Sequence, residues 1–312
     1  MNSGHDLTKN IPTVFWTGTL SLPLKLVVNS NCLLAWITGN TRNTSAMKQR
    51  MRDGYSGSFS DHVTHYDEVG LEHYTKIAEN LLAGIDVQGK KVLDVGCGTG
   101  ILSLIILEKG ASKLICTDIS ARMLNQCRAK IAAKGYSSEM VEYHEVDAER
   151  LPLCDNSIDV VVSNMVLGMI PNQQRLVSEI TRVLRPGGII ALSTHAPEQY
   201  REAVEASLKV MNLPYFMGYR FEYWPRDEAG IKDIFINAGL DNINTKRLTW
   251  IDYFKNGNEA FDFFASTTAL WWYDRLPKDK REKETVRTRN YYQRKGVTSI
   301  TIDVVLAYGT KK

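Results

Sequence analysis

Nine consecutive residues, Val92-Leu-Asp-Val-Gly-Cys-Gly-Thr-Gly100, limit what this chain can fold into more than any other stretch. The apolar run from Lys91 to Val95 has the length and composition of a buried strand, and Ile101 to Lys109 reads as a helix. Between them stand Gly96, Gly98 and Gly100. A strand entering a glycine turn and then a helix brings unpaired amide groups and the positive end of the helix dipole to one point, which predicts a bound ligand there. Glycine leaves the backbone bare and tolerates positive φ, so a ligand can lie directly on it. The spacing is GxGxG; the dinucleotide fingerprint GxGxxG would need a third glycine where this chain has Ile101. Asp94 ends the strand two residues before the turn, a negative charge that disfavours a pyrophosphate and suits a cation.

This pattern resembles the first motif of the class I S-adenosylmethionine (SAM) methyltransferases, whose cofactor carries a sulfonium and an amino group. The resemblance continues downstream. A second strand, Leu114 to Thr117, ends in Asp118, and Asp118-Ile-Ser-Ala-Arg-Met-Leu124 is similar to the family's stretch in which the acid meets the ribose hydroxyls and residues such as Met123 flank the adenine. Asp118 also stands where an acid favours the N-terminus of the following helix, Ser120 to Lys134, and both roles stay open. A third strand starting at Val141 leads to Asp147 and Ala148, similar to the family's acid and small residue at the adenine amino edge, with Glu149 expected in solvent. Ser157 to Ser163 is a β-branched run suited to a central strand, and it delivers Asn164 to the ligand edge. Arg182-Val-Leu-Arg-Pro-Gly-Gly188 closes a helix and enters a strand from Ile189 to Ser193, as in that family.

The resemblance implies a doubly wound α/β fold: a seven-stranded, mostly parallel sheet with an antiparallel last strand and helices on both faces. Residues 1–50 read as an appended segment of unknown role, 51–248 as the SAM-binding core with N-terminal lid helices, and 297–312 as the final strand. About fifty residues separate Leu248 from that strand, and a connection of that length is usually functional. Helices over Asn258 to Trp272 and Lys280 to Arg294 would make 249–296 a cap above the carboxyl ends of the strands. More than half of the chain's aromatic residues fall between Tyr215 and Tyr273. They are available to an apolar acceptor pocket, to the sulfonium, or to ordinary packing. Upstream, Val69, Leu71, Tyr74, Ile77, Leu81 and Leu82 mark the apolar face of a helix from Asp67 to Ala83. Tyr66, just before it, is either a contact to the methionine end of the cofactor or a core aromatic.

Methyl transfer needs a positioned acceptor, and a general base only when the acceptor atom is protonated. His195, after the fifth strand, is either that base or a solvent-facing loop residue; Asn164 would orient the acceptor. The chain lacks the Pro-Pro-aromatic sequence that follows Asn164's position in methyltransferases of DNA bases and protein glutamine. Its middle region is most similar to the small-molecule group related to the quinone-modifying enzymes. The expected partner is therefore a small, apolar or aromatic acceptor. A net charge of +3 gives no argument for nucleic acid. Five cysteines without CxxC spacing point to a reducing, cytoplasmic setting and to no structural metal site. The apolar stretch Ile11 to Gly39 is broken by Pro23, Lys25, Asn29 and Asn31, so no stable membrane span is expected, while targeting or membrane association stays open. Two other readings remain: a SAM-binding protein that transfers no methyl group, and a nucleotide-dependent oxidoreductase, which the GxGxG spacing disfavours.

Overall fold

A computed structural model describes residues 48, 49, 52, 60–170, 172–210, 226–265 and 278–312. In chain order its elements are α1 (Ser60–Leu81), β1 (Lys91–Val95), α2 (Ile101–Glu108), β2 (Lys113–Asp118), α3 (Ala121–Ala133), β3 (Val141–Glu145) and β4 (Ile158–Ser163). Then come α4 (Gln173–Val183), β5 (Leu184–His195), α5 (Arg201–Val210), α6 (Glu228–Asn237), β6 (Leu240–Tyr253), α7 (Gly257–Phe264), α8 (Lys278–Lys295) and β7 (Ser299–Lys311).

The seven strands form one sheet in the order β3-β2-β1-β4-β5-β7-β6. Neighbours from β3 to β5 are parallel, and β7 runs antiparallel to both β5 and β6. Alternation along each strand explains why helices cover both faces. Val92, Leu114, Val160, Val162, Ile302 and Val304 point to the side packed by α1, α2, α3, α5 and α7. Leu93, Val95, Ile115, Val161, Ile190 and Val305 point to the side packed by α4 and α6. Leu176, Val177, Ile180 and Val183 supply the inward stripe of α4, all fully buried. Each such side chain contributes about 1.5–3 kcal/mol relative to exposure.

Helix starts are set by local polar groups. Asn172 caps α4 through the Arg175 N–H, Asp227 caps α6 through the Gly230 N–H, and Asn256 caps α7 through the N–H groups of Asn258 and Glu259. Two differences from expectation concern β6 and α1. β6 runs to Tyr253, past Leu248, because its partner β7 extends far enough to pair through Tyr253↔Ser299. Leu71, placed by its spacing on the apolar face of α1, is 49% exposed. Of the expected cap, α7 and α8 are present between β6 and β7, and 266–277 lies outside the described residues. Strand order reverses between β1 and β4, so the crevice for a ligand opens at the carboxyl tips of these two strands.

Candidate functional site

The glycine turn occupies that crevice. Gly96, Gly98 and Gly100 all have positive φ, at 70°, 54° and 90°. Gly100 faces inward, where an added Cβ would stand 2.8 Å from Cys127 Sγ, and Gly96 faces Val166. Gly98 differs: nothing lies within 4 Å of where its Cβ would be. Bare backbone borders open space there. Asp118 fixes this arrangement, because its two carboxylate oxygens accept from the N–H groups of Gly98 and Ser120, each at 2.9 Å. Burial pushes the Asp118 carboxyl up to about 6 against the opposing pull of those two donors. The acid thus ties the tip of β2 to the turn after β1 while also serving the start of α3. Met123 is buried on the first turn of α3, its N–H donating to Ser120 Oγ.

Asp94 does not present a charge to the turn. Its carboxyl is 1% exposed beneath the turn, where Ser103 Oγ donates to it at 2.6 Å. Burial raises it to about 8, so at neutral pH it is mostly protonated. At the tip of β3, Asp147 accepts from the Glu149 N–H and from Lys48 Nζ at 2.6 Å. Lys48 also pairs with Glu149 at 2.8 Å. Glu149, expected in solvent, is buried, because it holds Lys48 and accepts from the Asn172 N–H. Ala148 packs against the apolar face beneath α4. The ammonium of Lys48 shows that the end of the N-terminal segment reaches this tip, a contact that no motif announces.

Between the tips of β4 and β5, Asn164 Oδ1 accepts from Ser193 Oγ at 2.6 Å and Asn164 Nδ2 donates to the Tyr74 carbonyl at 3.5 Å. The next residue, Met165, has φ 62°, a left-handed conformation unusual for a side chain of this kind. His195 ends β5, pairs in register with Val304 and is 2% exposed, which overturns its reading as a solvent-facing loop residue. Burial, then the neighbouring His73, push its imidazole down to about 3, so the ring is neutral at physiological pH. His195 stands 6.2 Å, ring to ring, from Tyr200, itself held at φ 58°. Tyr200 also meets His73 of α1, whose Nε2 is 3.5 Å from the Tyr200 hydroxyl and whose Nδ1 is 3.6 Å from Asp252 of β6. The rings of Tyr74, Phe263 and Trp250 pack around His73 at 4.9, 5.5 and 5.8 Å. Burial lowers the His73 ring, while the Asp252 carboxylate works in the opposite direction. The side chain of Tyr66 lies outside the described residues, as do Tyr215 to Trp224 and Trp271 to Tyr273.

A family model described as a methyltransferase domain matches residues 93–192, from β1 to β5. Among curated proteins, an uncharacterised protein of Mycobacterium tuberculosis is 30% identical over 223 residues, which cover 65% of this chain and 76% of that one. The malonyl-[acyl-carrier protein] O-methyltransferase of Hamiltonella defensa is 35% identical over 130 residues, 42% of this chain and 47% of that one. The chain belongs to the class I S-adenosylmethionine-dependent methyltransferases. Its cofactor is SAM. Among solved structures the fold is similar to that of the YcgJ protein of Bacillus subtilis, with a TM-score of 0.55 and 17% identity over 77% of this chain and 99% of that one. The chain spans about half the length of the malonyl-[acyl-carrier protein] enzyme.

The residues of this methyltransferase fit the cofactor. The open space over Gly98 is the kind of cradle that any larger side chain would fill, Asp118 at the tip of β2 holds the Gly98 N–H, and Asp147 follows the tip of the next strand, β3. Sequence reasoning missed His73, although a signal was present: position 73 is four residues from Val69 and from Ile77, so a polar ring sits on the apolar stripe of α1. Asp252 was missed because β6 was read as ending earlier. Among the described residues no helix is long and apolar enough to cross a membrane.

Proposed function

We propose that this protein transfers the methyl group of SAM to a small, apolar or aromatic acceptor held against His73, Tyr200 and His195. The observation that carries the reading is the position of this buried polar group. It lies at the same carboxyl edge of the sheet as the glycine turn, and Asn164, at the tip of β4 next to β1, reaches it by donating to the carbonyl of Tyr74, the neighbour of His73, while accepting from Ser193 of β5. SAM supplies an activated methyl group on a neutral leaving sulfide. Asp118, Asp147 and the Gly98 backbone would hold it, and Asn164 would orient the acceptor. Phe263, Trp250 and Tyr74 exclude water from the polar cluster and favour an apolar partner.

Of the two histidines, His73 is the better proton acceptor. Burial opposes a charge on both rings, but Asp252 faces His73 Nδ1 and favours an imidazolium there, whereas His73 adds to the cost of a charge on His195. His195 then acts as a neutral wall or hydrogen-bonding group. Similarity to the malonyl-[acyl-carrier protein] enzyme covers only the core, so it supports the cofactor and leaves the acceptor to this cluster.

The test is incubation of the full chain with SAM and an extract of the source cell, with S-adenosylhomocysteine and methylated products read by mass spectrometry. A product lost in His73→Gln while SAM affinity is kept supports the assignment. SAM binding with no product from any extract would support the reading as a SAM-binding protein without transfer.

A further inference from the structure

Cys97, Cys116 and Cys127 come from three different elements, the glycine turn, β2 and α3, and all three are buried. Their Sγ atoms lie within 4.8 Å of one another, and those of Cys116 and Cys127 are 3.9 Å apart. Two sulfurs bound to one zinc-like ion at about 2.3 Å stand about 3.8 Å apart in tetrahedral geometry and about 4.0 Å in trigonal geometry. Ser103 Oγ completes the cluster at 3.4 Å from Cys116 Sγ and 3.8 Å from Cys127 Sγ. The corresponding oxygen-to-sulfur edge around such an ion is about 3.5 Å.

A second observation is independent of the thiols. Ser103 donates to Asp94 Oδ2, and the other oxygen, Asp94 Oδ1, is buried without a hydrogen-bond partner among the described residues. We propose that Cys97, Cys116 and Cys127 bind a thiophilic d10 cation of the zinc class directly beneath the glycine turn, with the Ser103 hydroxyl at the fourth position and Asp94 holding that hydroxyl. Binding replaces three S–H bonds by three metal–sulfur bonds and releases three protons to solvent. The resulting complex carries one negative charge and lies against Ser103 on the first turn of α2. Cys97, the most exposed of the three at 7%, marks the side of entry. Because Cys97 is part of the turn, the ion would fix the backbone on which the cofactor lies.

The ligands are far apart in sequence and form no compact motif, which is why spacing alone argued against a metal. Reduced full-length protein, stripped with a chelator, is titrated with cadmium(II) while the thiolate-to-cadmium charge-transfer absorption is followed; zinc content is read by native mass spectrometry. One equivalent is expected per chain. C116S/C127S should abolish the band, C32S/C154S should keep it, and Ser103→Ala, which removes the weak fourth ligand, should lower affinity about 10- to 100-fold while keeping the band. Circular dichroism identifies any variant that has not folded; if C116S/C127S fails to fold, Cys127→Ala takes its place. No band in the wild type, or a band equally lost in C32S/C154S, overturns the proposal. Calorimetry with SAM on the same samples separates the two claims: SAM binding without cadmium binding defeats only the metal site, and cadmium binding without SAM binding defeats only the cofactor assignment.

Discussion

Asp118→Asn isolates the link between the second strand and the glycine turn. The wild-type carboxylate accepts two backbone N–H groups, those of Gly98 and Ser120, at 2.9 Å each. An amide of the same shape has a single acceptor oxygen, so one of the two N–H groups loses its partner, and the charge is lost for both. A hydrogen bond to a charged group is worth about 1.5–3 kcal/mol. If the turn must hold its present shape to receive SAM, that loss appears in binding as a dissociation constant raised about 10- to 150-fold. Isothermal titration calorimetry with SAM reads it directly. Thermal denaturation of the same variant checks that the fold survives. A dissociation constant within twofold of wild type, in a folded variant, would refute the claim that Asp118 organises the site.

Three more perturbations test other parts of the account. Gly98→Val puts a β-branched side chain at φ 54° and into the open space over the turn, so calorimetry should detect no SAM binding, with about 1–3 kcal/mol lost in stability. His195 is buried with its pKa depressed, so the unfolded chain binds its proton first. Stability on this account is full above about pH 6.5 and falls by up to about 1.4 kcal/mol per pH unit from there towards pH 3. His195→Gln should flatten that slope in denaturant melts, and an unchanged slope would contradict the burial argument. Asp303 is fully buried and receives both arms of Arg247, at 2.7 and 2.6 Å, with Thr249 and the Glu198 N–H. Asp303→Asn should therefore cost about 1–3 kcal/mol in chemical denaturation, because a single amide oxygen cannot satisfy the donors that meet at this buried carboxylate; no measurable loss would contradict it.

The core of this fold was legible because each of its strands carries its own signature. β1 and β4 are apolar and β-branched runs, and such runs have few alternatives to a sheet covered on both faces. The turn was legible because glycines at alternate positions are hard to explain otherwise. What stayed hidden depended on long-range contacts. The burial of Asp94 follows from Ser103 of α2, and that of Glu149 from Lys48, a hundred or so residues upstream. The His73–Tyr200–Asp252 arrangement joins α1, the segment after β5 and the far end of β6, three places that no local pattern connects. The cysteine cluster was invisible for the same reason: its members meet only once β2, α3 and the turn are assembled.

The central claim is that SAM lies on the bare backbone at Gly98 between the tips of β1 and β4. A crystal structure of the full chain with S-adenosylhomocysteine tests it most directly. The account predicts the ligand against Gly98, with Asp118 and Asp147 on its nucleoside side and Asn164 near its sulfur. A ligand found elsewhere, or a turn blocked by side chains at a saturating concentration, would contradict it.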